Sequence, residues 1–392
     1  MSHFDRPLHM LLAIRLIIIL GMMAIIPGYG SAVAQDATPG ASPVPFPPPS
    51  ANVTVFAEGL DNPRGLIFGP DGALYVAEGG QGGTNATDAS QCEQVVPPIG
   101  PYTGGPTARI SKLDASGARS TVVEGLPSDQ TSPQAGSFVA GVADIAFVDD
   151  TMYALIAGGG CSHGHPDQPN GIIRVNADGT TELVADLSAF VMANPVAEPN
   201  PNDFEPDEGA YDLVVLDGQL YVSESNHGAI DRVDPATGEI TRVIDLSATE
   251  GHVVPTGMVV GPDGLIYISN LLTFPAVEGG AKVWTLTPDG TLTEYATGLT
   301  AVLGLAFDSG GRLYALETTA GGTADAPIIP GTGRVVRMVD DGSWEVIATG
   351  LVFPTGMTFG DDGMLYVSNF GFGFPPGGGQ VVTVDVTAPP VA

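Results

Sequence analysis

Acidic and amide side chains recur at one position of a repeated pattern in this sequence. Six similar stretches each contain a tyrosine, and the third residues after these tyrosines are Glu78, Ile156, Glu224, Asn270, Glu317 and Asn369. Oxygen atoms of Glu and Asn are ligands that hard cations prefer, so a converging set would hold Ca²⁺ or another divalent cation. Alternatively, the same oxygens accept hydrogen bonds from backbone N–H groups of neighbouring repeats. No EF-hand-type loop favours the metal, and the sequence leaves both alternatives open.

Other polar residues stand where a strand should begin or end. Arg64, Asp144 and Asp212 lie at the start of the first strand of a repeat, so we expect them to face the same axis and to bind a ligand there. His227 follows a strand end and His252 precedes the fourth repeat. Each histidine is a candidate general base, or else a capping residue of a loop. The sequence shows no G-x-S-x-G elbow, nucleophilic triad or nucleotide-binding loop.

The chain contains two cysteines, Cys92 and Cys161, both in loops that we expect on the same face. In an exported protein, an even pair predicts a disulfide. The grouping of Cys161 with His163 and His165 also resembles half of a zinc site. Two free thiols are the third alternative.

Six copies of one unit must position these residues. The copies are Gly65–Glu78, Asp144–Ile156, Asp212–Glu224, Gly257–Asn270, Gly304–Glu317 and Gly356–Asn369. Each copy is typical of an apolar strand, a tight turn and a second strand rich in Tyr, Val and Ile. A second hairpin usually follows, and two hairpins make a four-stranded antiparallel blade. The sequence therefore predicts an all-β, six-bladed β-propeller.

The last blade lacks an outer strand near the C-terminus, where the sequence stops soon after a third strand at 379–386. Residues 52–60 resemble the fourth strands of the other blades, so we expect them to complete the last blade and close the ring. Deleting 52–60 should then unfold the ring, whereas deleting 35–50 should be harmless.

Long insertions are expected on the face opposite the hairpin turns. They fall at 79–107, 127–140, 157–170, 188–210 and 318–332. We call this side the loop face. Unequal loops on one face of a rigid ring are where binding usually occurs, and the axial entrance opens there too. The acidic run at 202–212 is a further candidate cation site, or simply a solvated segment.

Composition and charge exclude several classes of protein. Of 392 residues, 54 are Gly and 34 are Pro, which excludes a long helical bundle. The chain has 13 Lys and Arg against 44 Asp and Glu, a net charge of −31. Such a surface repels nucleic-acid phosphates and anionic membranes. The sequence therefore predicts no nucleic-acid partner.

The N-terminus has the pattern of a targeting segment. Arg6 and Arg15 accompany an apolar run that is too short to span a bilayer, and small residues follow up to Ala34. We predict a signal peptide at 1–34; an uncleaved anchor is the alternative. Residues 35–51 are a Pro/Ala/Ser-rich linker, 52–386 the propeller, and 387–392 a C-terminal tail.

Three segments carry a family resemblance. They are VFAEGLDNPRGLIFGPDGALYVAEGG at 55–80, DLSAFVMANP with DEGAYDLVVLDGQLYVSES at 186–225, and VPTGMVVGPDGLIYISN at 254–270. They resemble the ScyD/ScyE family of exported bacterial proteins, which is related to NHL and SMP-30/gluconolactonase propellers. The resemblance implies export and a six-bladed propeller. In the lactonase relatives a Glu, an Asn and an Asp bind an axial divalent cation, which Glu78, Glu224 or Glu317 with Asn270 or Asn369 would parallel.

The resulting interpretation is an extracytoplasmic, monomeric propeller that binds a small molecule, glycan or protein on its loop face. We expect no membrane attachment after signal cleavage. A metal-dependent hydrolase of the SMP-30/gluconolactonase type is one alternative, because an axial cation would activate water. An extracytoplasmic oxidoreductase is the other.

Overall fold

The computed structural model describes residues 46–391. The predicted signal peptide at 1–34, the linker up to residue 45, and Ala392 lie outside the described residues. No helix within the described range is long and apolar enough to cross a membrane.

The described chain forms six antiparallel sheets arranged as the blades of a β-propeller, which confirms the predicted fold. Blade 1 contains β2 (Pro63–Phe68), β3 (Leu74–Glu78), β4 (Thr103–Leu113), β5 (Arg119–Gln130) and the short β6 (Val139–Ala140). Blade 2 contains β7 (Val142–Val148), β8 (Thr151–Ile156), β9 (Gly171–Val175) and β10 (Thr181–Asp186). Blade 3 contains β11 (Ala210–Leu216), β12 (Gln219–Glu224), β13 (Ala229–Val233) and β14 (Ile240–Asp245).

The other three blades each have four strands. Blade 4 contains β15 (Pro255–Val260), β16 (Ile266–Asn270), β17 (Ala281–Leu286) and β18 (Leu292–Leu299). Blade 5 contains β19 (Val302–Phe307), β20 (Leu313–Glu317), β21 (Gly333–Met338) and β22 (Trp344–Leu351). Blade 6 contains β23 (Gly356–Phe359), β24 (Leu365–Asn369), β25 (Gly379–Val384) and β1 (Val53–Leu60). Two short helices, α1 (Leu187–Ala193) and α2 (Ser247–Glu250), follow β10 and β14.

The ring closes as the sequence predicts. The N-terminal strand β1 pairs antiparallel with the C-terminal strand β25, from Val53 opposite Val384 to Leu60 opposite Gly379. The first strand of each blade is innermost and packs against the first strands of both neighbours, so the ring order is the chain order. Because of this closure, both edges of β25 are paired with a neighbouring strand.

The repeated Asp and Tyr fix the first hairpin of a blade. In blade 1, Asp71 accepts a bond from the backbone N–H of Ala73 (3.1 Å) and another from the hydroxyl of Tyr75 (3.1 Å). Gly72 follows with a φ of +75°, in the left-handed region that favours glycine. The same Asp–Tyr bond recurs in blades 4 and 6, between Tyr267 and Asp263 and between Tyr366 and Asp362.

The core lies between the blades. The cluster between blades 1 and 2 contains Ala77 and Ile110 from one blade and Ile145 and Ala154 from the other, each at most 1% exposed. Burying an isoleucine side chain contributes roughly 1.5–3 kcal/mol. Because equivalent clusters join the other neighbouring blades, the stability of each blade depends on both neighbours.

Blade 1 differs from its prediction, because its second hairpin extends beyond the ring on the loop face. Parts of the insertions at 79–107 and 127–140 are strand, and Thr103 pairs with Gln130. Gly104 allows a close approach here, since a Cβ on it would lie 2.3 Å from the carbonyl oxygen of His163. The loop face is therefore more rigid over blade 1 than a set of irregular insertions would be.

Cys92 and Cys161 form a disulfide, as predicted. The bond joins the loop that follows β3 to the one that follows β8. Both cysteine sulfur atoms are in the disulfide, so the alternatives with a zinc ion or with free thiols do not apply to this structure.

Replacing both cysteines with serine should lower the free energy of unfolding by about 2–4 kcal/mol. The disulfide links residues 69 apart in sequence and so restricts the unfolded chain. Urea titration of the oxidised wild type and the double variant measures the loss. Because the bond joins two loops, the far-UV spectrum should stay the same; equal stabilities of the two proteins would contradict the expectation.

The described end of the predicted linker lies against the ring. Ser50 donates its N–H to the carbonyl of Thr349 in blade 5 (3.1 Å). The ring of Phe46 lies 5.9 Å from that of Phe370 and 6.4 Å from that of Phe374. Deleting 35–50 would remove these contacts, so we now expect a measurable cost from that deletion.

Candidate functional site

The Glu and Asn residues at the ends of the second strands bind backbone in their own blades. Glu78 accepts from the N–H of Asp61 (2.6 Å), Glu317 from that of Thr300 (2.6 Å), and Asn369 from that of Val352 (2.8 Å). Each donor lies 17 residues earlier, in the connection that enters the same blade.

The remaining two members also bond backbone. Asn270 donates to the carbonyl of Val253, 17 residues earlier (3.1 Å), and accepts from the N–H of Lys282 (2.7 Å). Glu224 accepts from the N–H of His227 in its own blade (2.8 Å) and from that of Gly209, in the connection that enters blade 3 (3.4 Å). The structure does not bring the five residues together, and no group of three or more His, Cys, Asp or Glu in residues 46–391 is arranged to hold a metal. Each side chain instead holds a connection between blades.

Basic partners neutralise two of these buried carboxylates. Arg119 bonds both carboxylate oxygens of Glu78 (2.7 and 2.9 Å), and Arg334 makes an ion pair with Glu317. Burial nevertheless raises the pKa of both carboxyls. These pairs are structural contacts within one blade.

Two of the three candidates at the starts of the first strands, Asp144 and Asp212, lie side by side at the axis. Asp144 accepts from the N–H of Leu213 (3.0 Å), and Asp212 from that of Met258 (2.7 Å), so each carboxyl binds the inner strand of the next blade. Burial raises the pKa of Asp144 well above its usual range, and the neighbouring Asp212 raises it further. Burial also raises the pKa of Asp212.

Tyr211 crosses the axis above this pair. Its hydroxyl donates to the carbonyl of Thr355 (2.5 Å), and blades 3 and 6 are opposite in a ring of six. The Arg64 guanidinium carbon lies 5.8 Å from the centroid of the Tyr211 ring. We call Arg64, Tyr211 and Thr355 the loop-face mouth.

A cavity of about 430 Å³ follows the axis below the mouth. All six inner strands line it, from Tyr211 and Thr355 at the loop-face end to Phe307 and Phe359 near the hairpin turns. Its polar side chains are Asp144, Asp212, Tyr211, Thr355 and Thr358, and the others are mainly apolar. Tyr211 and Thr355 therefore belong both to the mouth and to the wall of the cavity.

A phenylalanine patch lies beside the mouth. It comprises Phe138, Phe353, Phe370, Phe372 and Phe374. Phe372 stacks on Phe353 (ring centroids 4.7 Å apart) and meets Phe138 edge-on (5.3 Å). A Cβ on Gly371 would lie 2.2 Å from Thr355 Cγ2, so the loop that carries Phe370 and Phe372 lies directly on the mouth. All five rings but that of Phe353 are partly exposed.

The two candidate histidines are not among the residues that line the axial cavity, and both contact the acidic loop 202–212. The Nε2 atom of His227 is 2.9 Å from the carbonyl of Glu205, and its ring stacks on Phe204 (5.0 Å). The Nε2 atom of His252 is 2.7 Å from a carboxylate oxygen of Asp203. The structure does not bring these two rings to the channel, so it gives neither a catalytic position there.

A buried cluster on the loop face contains His163, which the sequence analysis considered only as a zinc ligand. The hydroxyl of Tyr102 donates to Glu205 (2.6 Å), and the ring of His163 packs against that of Tyr102 (4.7 Å). Nδ1 of His163 lies 3.0 Å from a carboxylate oxygen of Asp129. Although burial opposes the charged imidazole, Asp129 raises the pKa of His163 to about 9. Burial raises the pKa of Glu205 to about 7, although His163 and Tyr102 oppose this shift.

The free energy of unfolding should fall as pH rises from about 5 to about 9. The pKa of Glu205 is raised in the folded state, so its contribution to stability is complete below about pH 4.5 and is lost as the pH rises through about 7. The contribution of His163 is complete below about pH 6.5. This contribution, on the order of 3 kcal/mol, is lost as the pH rises through about 9.

Urea titrations at pH 5, 7 and 9 test this profile. The His163→Gln variant should have a flatter profile between pH 7 and 9, while the Glu205 part below pH 7 remains. A wild-type protein that becomes more stable between pH 7 and 9 would contradict the expectation.

Solved structures share this fold at low sequence identity. A structural-genomics protein of unknown function from Bacteroides thetaiotaomicron VPI-5482 matches with a TM-score of 0.52 and 12% identity, over 86% of this chain and 76% of its own. A glucose dehydrogenase matches with a TM-score of 0.50 and 15% identity, over 85% and 99%. A protein assigned as a gluconolactonase matches with a TM-score of 0.49 and 14% identity, over 87% and 94%.

No protein-family model matches the chain, and no curated protein matches it in sequence. The identities to the solved structures show a shared fold alone. The fold and the site together define this class of protein: a closed six-bladed β-propeller with an aromatic patch beside its loop-face mouth.

Proposed function

We propose that this chain is an exported β-propeller of the ScyD/ScyE type that binds a small molecule at the loop-face mouth. The phenylalanine patch carries the proposal. Its rings come from three separate loops, yet they gather beside the axis and stay partly exposed. Clustered aromatic rings with a few polar groups are typical of ligand sites, since burial of a ring contributes both area and defined geometry.

Export is supported by two independent features. The N-terminal pattern predicts a signal peptide, and the disulfide between Cys92 and Cys161 fits an oxidising compartment. The resemblance to the ScyD/ScyE family implies the same location. These features support an extracytoplasmic location.

Binding without turnover is favoured over hydrolysis by the positions of the Glu and Asn residues. A lactonase-type mechanism needs oxygen ligands at one point on the axis. Here Glu78, Glu317 and Asn369 each bond backbone inside their own blade. The carboxyls at the axis, Asp144 and Asp212, are also bonded to backbone N–H groups.

A thermal-shift screen of aromatic fragments on residues 35–392 tests the proposal. A compound that binds the folded state raises Tm. We expect that some fragments do so, and that Phe138→Ala and Phe372→Ala abolish their effect. Tyr295→Ala is the matched control, because this ring is 45% exposed on the outer strand of blade 4.

Two results would contradict the proposal. One is a screen without stabilising fragments. The other is a set of fragments that stabilise the patch variants as well as the wild type. Either result would redirect the search to a glycan or a protein partner on other parts of the loop face.

A further inference from the structure

The loop-face mouth contains a cation without a counter-ion. Among residues 46–391, every Lys and Arg other than Arg64 and Arg232 makes an ion pair. This is unexpected in a chain with 44 acidic residues and 13 basic ones. The Nε atom of Arg64 is buried and has no hydrogen-bond partner, while the residue as a whole is partly exposed. Leaving a buried donor unpaired costs free energy, so its presence at the mouth points to an external acceptor.

The carboxyls at the axis do not supply that acceptor. Asp144 and Asp212 make no ion pair with Arg64, and both accept backbone hydrogen bonds from the next inner strand. The positive charge of Arg64 is therefore available on the loop face.

The arginine and the patch are adjacent. The loop of Phe370 and Phe372 lies against the turn that begins β2, since a Cβ on Gly371 would be 2.8 Å from the carbonyl oxygen of Pro63. Tyr211 supplies an aromatic face next to Arg64. A cation close to aromatic rings complements a molecule with an anionic end and an aromatic body.

We propose that Arg64 binds the carboxylate of a small aromatic acid whose ring lies on the phenylalanine patch. This specificity rests on the proposed function and adds the chemical class of ligand. A guanidinium group donates two parallel hydrogen bonds to a carboxylate, which lysine cannot reproduce. The ring contributes burial against Phe138 and Phe372.

A matched pair of probes separates charge from shape. 2-Naphthoate and 2-naphthamide have the same ring and a similar outline, but only the first is an anion at pH 7. Calorimetric titration of residues 35–392 should give a dissociation constant at least tenfold lower for the naphthoate. Arg64→Gln should remove this preference and change the dissociation constant for naphthamide by no more than about twofold. Arg64→Lys should retain only part of the preference for the naphthoate.

Two control variants complete the experiment. Arg232→Gln removes the other arginine outside the ion pairs and should leave both affinities unchanged. Phe372→Ala should weaken both probes to a similar extent, because both stack on the patch.

Equal affinities of the wild type for the two probes would overturn the proposal, as would equal losses for both in Arg64→Gln. If naphthamide still binds and Phe372→Ala abolishes its binding, the loop-face function stands and only the preference for an acid fails. If fragments stabilise the wild type through the patch but neither 2-naphthoate nor 2-naphthamide binds, the proposal of an aromatic acid as ligand is again wrong. A screen without any patch-dependent fragment would reject the binding function itself, and the aromatic acid with it.

Discussion

A mature chain that lacks residues 52–60 is expected not to fold. The deletion removes β1, whose backbone pairs with β25 over the whole length of that strand. It also removes Leu60, which is fully buried, and Ala57, which is 5% exposed. Without them the ring stays open, β25 presents an unpaired edge, and blades 5, 6 and 1 lose part of their shared core.

Circular dichroism and a thermal melt of the purified variant measure this effect. Deletion of 35–45 is the matched control, because the Pro/Ala/Ser-rich composition of this segment predicts a linker; it should leave Tm unchanged. Deletion of 35–50 should lower Tm modestly, because Ser50 and Phe46 contact blades 5 and 6. A cooperative melt of the 52–60 deletion near the wild-type Tm would refute closure by β1.

Glu78→Ala should be the most damaging single substitution, with a loss of about 3–5 kcal/mol of unfolding free energy. The carboxylate is fully buried and accepts from the N–H of Asp61, from the hydroxyl of Ser111 and from Arg119. Alanine would leave the buried N–H of Asp61 without its acceptor. The Arg119 guanidinium would lose its carboxylate partner and keep only its bonds to Ser111 and Gly59. The connection that enters blade 1 would lose its anchor as a result.

Urea titration gives the loss, and two comparisons identify its cause. Glu58→Ala, on the exposed side of β1, should cost little. EDTA should leave the wild-type Tm unchanged if Glu78 acts through hydrogen bonds, whereas a cation held by Glu78, Glu224 or Glu317 would make Tm fall on chelation. A Glu78→Ala protein as stable as the wild type would show that the anchor is dispensable.

The repeats made the fold predictable from sequence. Four of the six copies couple an apolar strand to an Asp-Gly turn. The hydrogen bond from Tyr75 to Asp71 shows why the Asp and the Tyr recur together. The closing strand was also predictable, because 52–60 has the pattern of an outer strand. Local chemistry and the six-fold repetition point to the same ring, so few competing folds remain.

The candidate site was predictable only in part. The position in the repeat predicts that Glu78 and Glu317 lie at the loop-face end of a strand. It does not predict the direction in which each side chain points. Both point into their own blade, because an entering backbone N–H lies within reach there. Asp144 and Asp212 do reach the axis, since the innermost strand borders it.

The mouth and the patch depend on residues outside the repeat. Tyr211 crosses the ring to a partner 144 residues away, a contact that no local pattern encodes. The alternating Phe and Gly at 370–374 is visible in the sequence, yet Phe138 and Phe353 join it only through the fold. The loop-face site therefore emerges from tertiary contacts between unequal insertions.

A crystal structure of residues 35–392 soaked with 2-naphthamide tests the central claim most directly. The amide is the better probe here, because its binding does not depend on the charge preference assigned to Arg64. We predict electron density for the ring against Phe138 and Phe372, on the loop-face side of Tyr211. Density inside the axial cavity, or on another face of the ring with the patch empty, would contradict the account.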